Sequence, residues 1–390
     1  MSRLAELKDL KVYFYDQRDK RFIRAVENVG FAIEEGSVLG VVGESGCGKT
    51  VTALATMGLI EAEPGIIGGR FFFKAPQEDV KLIEDYLFRN TWMTTGENST
   101  RLYNLFCGLD QYVNFEENPF TIIKDSEKWL RRSNRIMEHI RGKNISMIFQ
   151  NPGRSLNPFI TVGHQLERTI GRFNPDRSSH EIHEMAAQWL RSVRLYRPET
   201  VMSMYPRSLS VGMAQRVIIA IALCSNPRLL IADEPTIGLD TTNIYKIIEL
   251  LETLRAEMNL TLVLISHNIR IVSTIAHNII VMYAGIVVEC GVRKDVIRGR
   301  FGAKHPYGAK HPYTEALVSS IPSDSDIRKG KKLKEIPGSV RNNKREMNCC
   351  PFLERCSYAV GKIRKLCESH CPELVEVSPQ HFVRCYLYYS

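Results

Sequence analysis

Apolar residues in this chain follow two rhythms. The segments Val38–Val42, Arg228–Ala232 and Thr261–Ile265 are short, near-continuous apolar runs, the pattern of strands buried on both faces of a parallel sheet. Between them apolar positions return at helical spacing. Ser178 and Ser179 precede Ile182, Met185, Ala186, Trp189 and Val193, which share one face of a helix capped by serine. Ser210 opens a second helix that runs to about Cys224 and stops before Asn226-Pro227. A further helix is predicted over Lys49–Leu59. Ile279–Tyr283 and Ile286–Glu289 flank Ala284-Gly285, a hairpin signal. Tyr13, Phe14 and Tyr15 fall on a first predicted strand. Strands alternating with helices predict an α/β fold with a mostly parallel sheet covered on both faces.

Two segments break this plan. Residues from about Lys74 to Arg135 are polar, carry Trp92 and Trp129, and show no clean period; they read as an insertion. The tail after about Arg298 is rich in Pro, Lys and Cys and is expected to form a separate small module. Within it GAKHPY occurs twice in tandem, at Gly302–Tyr307 and Gly308–Tyr313. That unit is too short for a structural repeat and reads as a duplication tolerated in a surface loop.

Composition narrows the class. The chain has 390 residues, 44% hydrophobic and 24% charged, enough for one large domain and a smaller one. No apolar run reaches the roughly 18 residues of a membrane span, and the charged start MSRLAELKDL lacks a signal-peptide core. A cytosolic protein is expected, with any membrane association through a partner. The formal net charge of +9 describes a solvated basic surface or a face toward anionic lipid or a partner. No interleaving of aromatic and basic residues favours nucleic acid. Six of the ten cysteines lie between Cys349 and Cys385, which in a cytosolic protein points to metal or iron–sulfur chemistry before disulfides.

The chemistry sits at the ends of the predicted strands. Gly43, Glu44, Ser45, Gly46, Cys47, Gly48, Lys49 and Thr50 match GxxxxGK[ST]. Glycines let backbone N–H groups wrap phosphate oxygens, Lys49 reaches the β/γ-phosphates, and the Thr50 hydroxyl can ligate Mg²⁺. Leu229–Ala232 leads to Asp233 and Glu234: Asp233 can hold the Mg²⁺ shell and Glu234 can orient or deprotonate the attacking water. Gln150 and His267 also follow strand-like runs, where ligands collect in open α/β sheets; the Gln150 amide can bind Mg²⁺ or the lytic water. One of Tyr13, Phe14 and Tyr15 can stack on adenine, and Tyr15 is the candidate.

Together these residues resemble the nucleotide-binding subunit of ABC transporters, over about Leu7 to Tyr388 apart from the insertion. The stretch Leu209-Ser210-Val211-Gly212-Met213 is similar to that family's signature LSGGQ. Asp240 matches its D-loop, Gln150 its Q-loop and His267 its switch histidine. The phrases FQNPGRSLNP, YPRSLS, VMYAG, HPYTEAL and CPFLERC…HFVRC look like the oligopeptide/dipeptide importer group. The resemblance implies a P-loop NTPase fold: a mostly parallel sheet with antiparallel β and helical subdomains. The ABC ATPase domain would span 1–300, with an insertion at about 74–135 and a helical subdomain at about 153–226; a Cys-rich module would span 301–390. It implies hydrolysis of ATP with Mg²⁺ in a head-to-tail dimer, an asymmetric heterodimer in this group, each phosphate loop completed by the other protomer's signature helix, so that Ser210, Val211, Gly212 and Met213 would serve the partner's loop. It implies as partners a second ABC ATPase subunit, two integral-membrane permeases and an extracytoplasmic solute-binding protein. The chain would lie at the cytoplasmic face of the cell membrane, with Ser155–Thr169 contacting the permease.

Three departures from the family pattern carry expectations of their own. Val211 stands where the signature has glycine; a β-branched side chain there is expected to crowd the backbone's approach to phosphate and to disfavour positive φ. That weakens the site which this signature completes on the partner, so an unequal pair of ATP sites is expected. The insertion is either a tolerated surface loop or a docking surface. Cys47 replaces a common serine, and neighbouring N–H groups with Lys49 are expected to lower its pKa and make it reactive. In the tail, Cys350, Cys356, Cys367 and Cys385 align with four cysteines that some members of the group use for a [4Fe–4S] cluster; Cys349 and Cys371 are extra. Four thiolates suit that cluster and also structural Zn²⁺, and free thiols are the third reading. A soluble ABC ATPase that remodels a metalloenzyme complex is the rival function. A non-hydrolysing regulator is disfavoured by the presence of Lys49, Asp233, Glu234 and His267.

Overall fold

Alternation along the central strands sorts their side chains between two cores. In a computed structural model, which describes residues 2–83, 92–95, 100–117, 120–297, 311–320, 336, 338 and 349–389, the chain begins with an antiparallel pair, β1 (Arg3–Asp16) and β2 (Arg21–Glu34). It passes through β3 (Val38–Val42) and the helix Lys49–Thr56, then returns along β4 (Pro64–Phe73) to pair with β1. Strands β5 (Trp92–Thr95) and β6 (Thr100–Asn104) extend that sheet, giving the order β2-β1-β4-β6-β5. A separate hairpin follows, β7 (Val113–Glu117) and β8 (Phe120–Lys124).

The described part of the 74–135 segment is therefore folded into the structure. Phe106 packs its ring on Phe71, with centroids 5.9 Å apart. Trp129 is buried in the helix Ser126–Met137, beneath the Lys124 ammonium 4.1 Å from its ring. Its strands and the helix Gln77–Ile83 are too brief to show a long period in sequence, whereas the 12-residue helix Ser126–Met137 buries Trp129, Ser133, Ile136 and Met137 at helical spacing, a period not read from sequence. The first GAKHPY copy lies outside the described residues, as does the start of the second.

The second sheet adds β9 (Ile145–Ile148), β10 (Leu229–Asp233), β11 (Thr261–Ser266), β12 (Asn278–Tyr283), β13 (Ile286–Val292), β14 (Val375–Ser378) and β15 (His381–Val383) to β3. Its order is β14-β15-β13-β12-β3-β11-β10-β9. Strands β12, β3, β11, β10 and β9 run parallel. Val38, Val42, Leu230, Ala232, Leu262 and Leu264 face one core with the helices Val162–Phe173, Ser179–Ser192 and Val211–Leu223. Leu39, Val41, Leu229, Ile231, Val263 and Ile265 face the other, beneath the antiparallel sheet. Burial on both faces is why these strands read as unbroken apolar runs. Ser178 caps its helix in a full capping box with Glu181, and Ala284 and Gly285 both take positive φ in the turn of the β12–β13 hairpin.

The cysteine-rich tail is not a separate body. Strand β15 pairs with β13, Cys290 opposite Phe382, and Phe352, Leu353 and Cys367 belong to the same core as the central helices. A buried polar knot holds this junction. The fully buried Glu289 carboxylate lies 2.7 Å from His381 Nε2 and accepts the His311 N–H at 2.8 Å. The His311 Nδ1 in turn accepts the N–H of Tyr313 at 3.0 Å, capping the helix Pro312–Ser319. A backbone of alternating polar and apolar residues pairs with the sheet edge, so the tail completes the domain core.

Burial, and secondarily the charge of Arg384, holds the His311 pKa near 3. The folded state thus binds this proton less well than the unfolded chain, and stability falls as pH drops below about 6.5, by at most about 1.4 kcal/mol per pH unit. His311→Asn keeps a capping acceptor and removes the titration. Denaturation at pH 7, 6 and 5 is expected to show a steeper acid loss for the wild type than for this variant; parallel slopes would contradict the assignment.

Candidate functional site

The carboxyl ends of β3, β10 and β11 converge on one loop. Residues 43–48 turn between β3 and the helix Lys49–Thr56. Positive φ at Gly43, Gly46 and Gly48 makes that turn accessible. A Cβ on Gly43 would meet the Met282 carbonyl at 2.2 Å, and one on Gly48 the Ala25 carbonyl at 2.6 Å, while Gly46 opens onto free space. The glycines thus let the loop lie against its neighbours and leave one side clear. Ser45 and Gly46 are exposed on that side, and the Lys49 Nζ bridges the carbonyls of Gly43 at 2.8 Å and Glu44 at 3.0 Å. Loop N–H groups, a helix N-terminus and an ammonium in this arrangement suit a polyphosphate.

Cys47 overturns its expectation. The thiol is fully buried, and burial pushes its pKa up. The Lys49 ammonium, with Nζ 3.7 Å from Sγ, opposes this and does not outweigh it. An inert, protonated core thiol is the result.

Asp233 ends β10 beside this loop. Its Oδ1 is buried without a hydrogen-bond partner, burial raises its pKa, and the Thr50 hydroxyl bonds the carboxyl group. A desolvated carboxylate with one oxygen unsatisfied, next to a hydroxyl, fits the donor set of a hard divalent cation such as Mg²⁺. Glu234 follows in the left-handed region at φ 49°, a conformation that costs a non-glycine residue energy and turns its side chain back toward the sheet edge. Its backbone N–H donates to the Ile265 carbonyl at 3.0 Å. Its carboxylate accepts the His267 N–H at 2.9 Å and has both oxygens 2.9 Å from His267 Nδ1. That carboxylate raises the His267 pKa, so the pair favours an imidazolium. Gln150 is exposed two residues past Ile148, which pairs with Ala232 on the adjacent strand. Glu234 stands at the same offset from Ala232.

The other predicted residues fall elsewhere. Of the three aromatic candidates Tyr13 is buried, its hydroxyl bonded to Glu27, whereas Tyr15 is 46% exposed and leans on Phe22; only Tyr15 has an uncovered ring suited to stacking. Ser210 caps the helix Val211–Leu223 by accepting the Met213 N–H at 3.3 Å. Asp240 caps the helix Thr241–Met258, and the N–H of Asn243 holds its carboxyl below the usual range. Ser210, Val211, Gly212, Met213 and Asp240 line a common groove with Arg194 and Arg216, and none of residues 43–50 takes part in it. Val211 is the first residue of its helix with Ser210 at φ −67° and ψ 159°, and it does not need positive φ. The expected backbone strain is absent; its side chain is 48% exposed at the mouth of the groove.

Cys350, Cys356, Cys367 and Cys385 line one small pocket together with His311, Phe352 and Tyr386. Among the described residues, however, no group of three or more His, Cys, Asp or Glu is arranged to hold a metal. Cys350 is pushed up and Cys367 down by their mutual hydrogen bond, and burial raises Cys356, Cys371 and Cys385. A cluster needs four convergent thiolates, and a bound metal is itself what deprotonates its thiol ligands. The described residues give no support to the expected [4Fe–4S] cluster.

Two residues at the phosphate loop were not read from sequence. Arg355 forks onto the Glu44 carboxylate at 2.7 and 3.0 Å, and the Tyr313 hydroxyl accepts the Glu44 N–H at 2.8 Å. Both lie in phrases, CPFLERC and HPYTEAL, that the sequence set apart without assigning any contact.

The profile described as "ABC transporter" matches residues 26–237, and "Oligopeptide/dipeptide transporter, C-terminal region" matches 288–362. The chain is 35% identical over 389 residues to the oligopeptide transport ATP-binding protein AppD of Bacillus subtilis, covering 100% of this chain and 98% of that protein. It is 33% identical to the dipeptide transport ATP-binding protein DppD of Escherichia coli, covering 93% and 90% respectively. The dimeric bacterial ABC transporter cassette MJ0796 superposes with a TM-score of 0.52 at 23% identity, over 73% of this chain and 96% of that one; this likeness speaks to fold alone. With its phosphate loop, its Asp233–Glu234 pair and its C-terminal region all in place, the chain belongs to the ABC transporter ATPases, in the oligopeptide/dipeptide group.

Proposed function

We propose that this chain binds and hydrolyses ATP as one of two ATPase subunits driving uptake of peptides or related small solutes through a membrane permease. The observation that carries the pairing is the separation of its parts. Residues 43–50, Asp233, Glu234 and His267 gather at the carboxyl ends of β3, β10 and β11, while Ser210–Met213 and Asp240 share a groove elsewhere. A signature that cannot serve its own phosphate loop is available to a partner's.

Within that reading, Lys49 exchanges loop carbonyls for phosphate oxygens, and Tyr15 offers a platform for the adenine. Thr50, Asp233 and Gln150 are the residues to hold Mg²⁺, which when bound neutralises charge on the phosphate oxygens. Glu234 accepts the proton of the attacking water or orients it. His267 holds the Glu234 carboxylate until the γ-phosphate competes for the imidazole. Val211 adds bulk at the mouth of the groove and weakens the site it completes, so the pair is unequal.

A second groove supports the permease contact. A cavity of about 720 Å³ is bordered by Phe149, Ser155, Leu156, Arg168 and Thr169, directly after Ile148 and beside the Gln150 segment. Phe159 projects nearby in sequence, 76% exposed. Among the described residues no helix is long and apolar enough to cross a membrane, so a peripheral position at the cytoplasmic face, with membrane subunits supplying the path, is the matching arrangement. A solute-binding protein on the far side belongs to the same scheme.

Glu234→Gln is expected to lower turnover by about 10²- to 10⁴-fold with ATP still bound, and more than the equivalent change in the partner; equal losses would remove the asymmetry. Ser155→Trp, which fills the groove, is expected to abolish co-purification with membrane subunits while nucleotide binding persists. Wild-type protein that co-purifies with a soluble redox enzyme and no membrane protein would instead support a remodelling ATPase.

A further inference from the structure

We propose that Arg355, in the C-terminal segment, is a positioning residue for ATP binding, acting through Glu44 of the phosphate loop. The proposal rests on the ATP-site reading above.

Glu44 has every polar group engaged. Its N–H donates to the Tyr313 hydroxyl at 2.8 Å, its carbonyl accepts from Lys49 Nζ at 3.0 Å, and its two carboxylate oxygens accept from Arg355 at 2.7 and 3.0 Å. Two of these three partners come from the tail, 269 and 311 residues away in sequence. The Arg355 side chain is 5% exposed. Its Nη1 also donates to the Tyr283 hydroxyl at 3.2 Å, and its guanidinium carbon lies 5.6 Å from the Tyr283 ring centre and 5.9 Å from that of Phe352. Phe352 in turn packs on Tyr283, Tyr313 and His311. The guanidinium is therefore held by a buried aromatic group before it meets Glu44.

Two physical consequences bear on the nucleotide. The loop has three glycines at positive φ, so its backbone is conformationally free unless something outside it fixes it, and ordering it at the moment of binding would weaken affinity. The grip on Glu44 supplies that order beforehand. Glu44 is also a carboxylate beside a polyphosphate site, where its charge repels the ligand. The Arg355 fork neutralises it in planar, bidentate geometry that an ammonium cannot reproduce.

The test uses the full-length protein and the fluorescence of trinitrophenyl-ATP. Arg355→Met is expected to weaken binding about tenfold, with kcat at saturating ATP changed less than about twofold, since the catalytic pair Glu234 and His267 is untouched. Arg355→Lys is expected to fall between the two. Adding Glu44→Gln to Arg355→Met removes the stranded charge and is expected to recover part of the lost affinity. A purely structural role for Arg355 predicts a lower melting temperature with no recovery from Glu44→Gln. Wild-type affinity in Arg355→Met, or a loss that Glu44→Gln leaves unchanged, overturns the proposal. Should Arg355→Met not fold, Arg355→Lys alone and with Glu44→Gln gives the same comparison. Wild-type protein that fails to bind the analogue overturns the ATP-site reading itself.

Discussion

Parallel pairing of β3, β11 and β10 is the constraint on which the site depends. Registers run Leu262 to Val38 and Leu229 to Thr261, and they deliver Gly43, Asp233, Glu234 and His267 to the same edge. None of the three strands can slip. A shift of one residue would exchange the two sets of side chains between the cores, sending Leu230 and Ala232 under the antiparallel sheet and Asp233 out of reach of Thr50. Burial on both faces thus does two tasks: it holds the sheet together, and it sets the position of each of these candidate site residues along its strand. The polar groups at the strand ends then face a desolvated edge, where an unpaired oxygen on Asp233 is a place for a cation.

The tail answers a different need. A loop built on Gly43, Gly46 and Gly48 can approach phosphate closely but cannot hold its own shape. Strand β15 on β13, the Glu289 knot and the Phe352–Tyr283–Tyr313 aromatic group bring a rigid surface to that loop. The same residues that look like an appended module in sequence are thereby packed against the loop at Glu44.

Much of this was legible in the chain itself. Unbroken apolar runs located β3, β10 and β11, because burial on two faces leaves no polar position to interrupt them. The serine caps at Ser178 and Ser210 were readable because a helix N-terminus needs a side-chain acceptor, whatever the fold. Other features depended on distant contacts. Cys47 looked reactive when weighed against Lys49 and the neighbouring N–H groups, and its burial became visible only in three dimensions. The clustering of six cysteines suggested a metal, yet clustering along the chain does not determine whether thiols are arranged as ligands. Arg355 and Glu44 are separated by more than three hundred positions, and no local pattern announces a contact of that range. The segment after Lys74 read as aperiodic because its strands are short and the one longer helix, Ser126–Met137, buries only Trp129, Ser133, Ile136 and Met137 among many charged residues.

Val211 illustrates how a local rule can be right in its terms and misapplied. Positive φ does disfavour a β-branched residue, but the signature here begins a helix, and Ser210 in extended conformation supplies the turn that a glycine was expected to provide. What the substitution leaves is volume: an isopropyl group at the mouth of a groove shared with Asp240 and two arginines. Its effect therefore falls on whatever enters that groove, not on the stability of this chain. Residues 43–50 and Glu234 lie outside that groove, so bulk at Val211 does not touch the loop or the Glu234–His267 pair, and under the proposed pairing its steric effect is directed at the partner's phosphate loop.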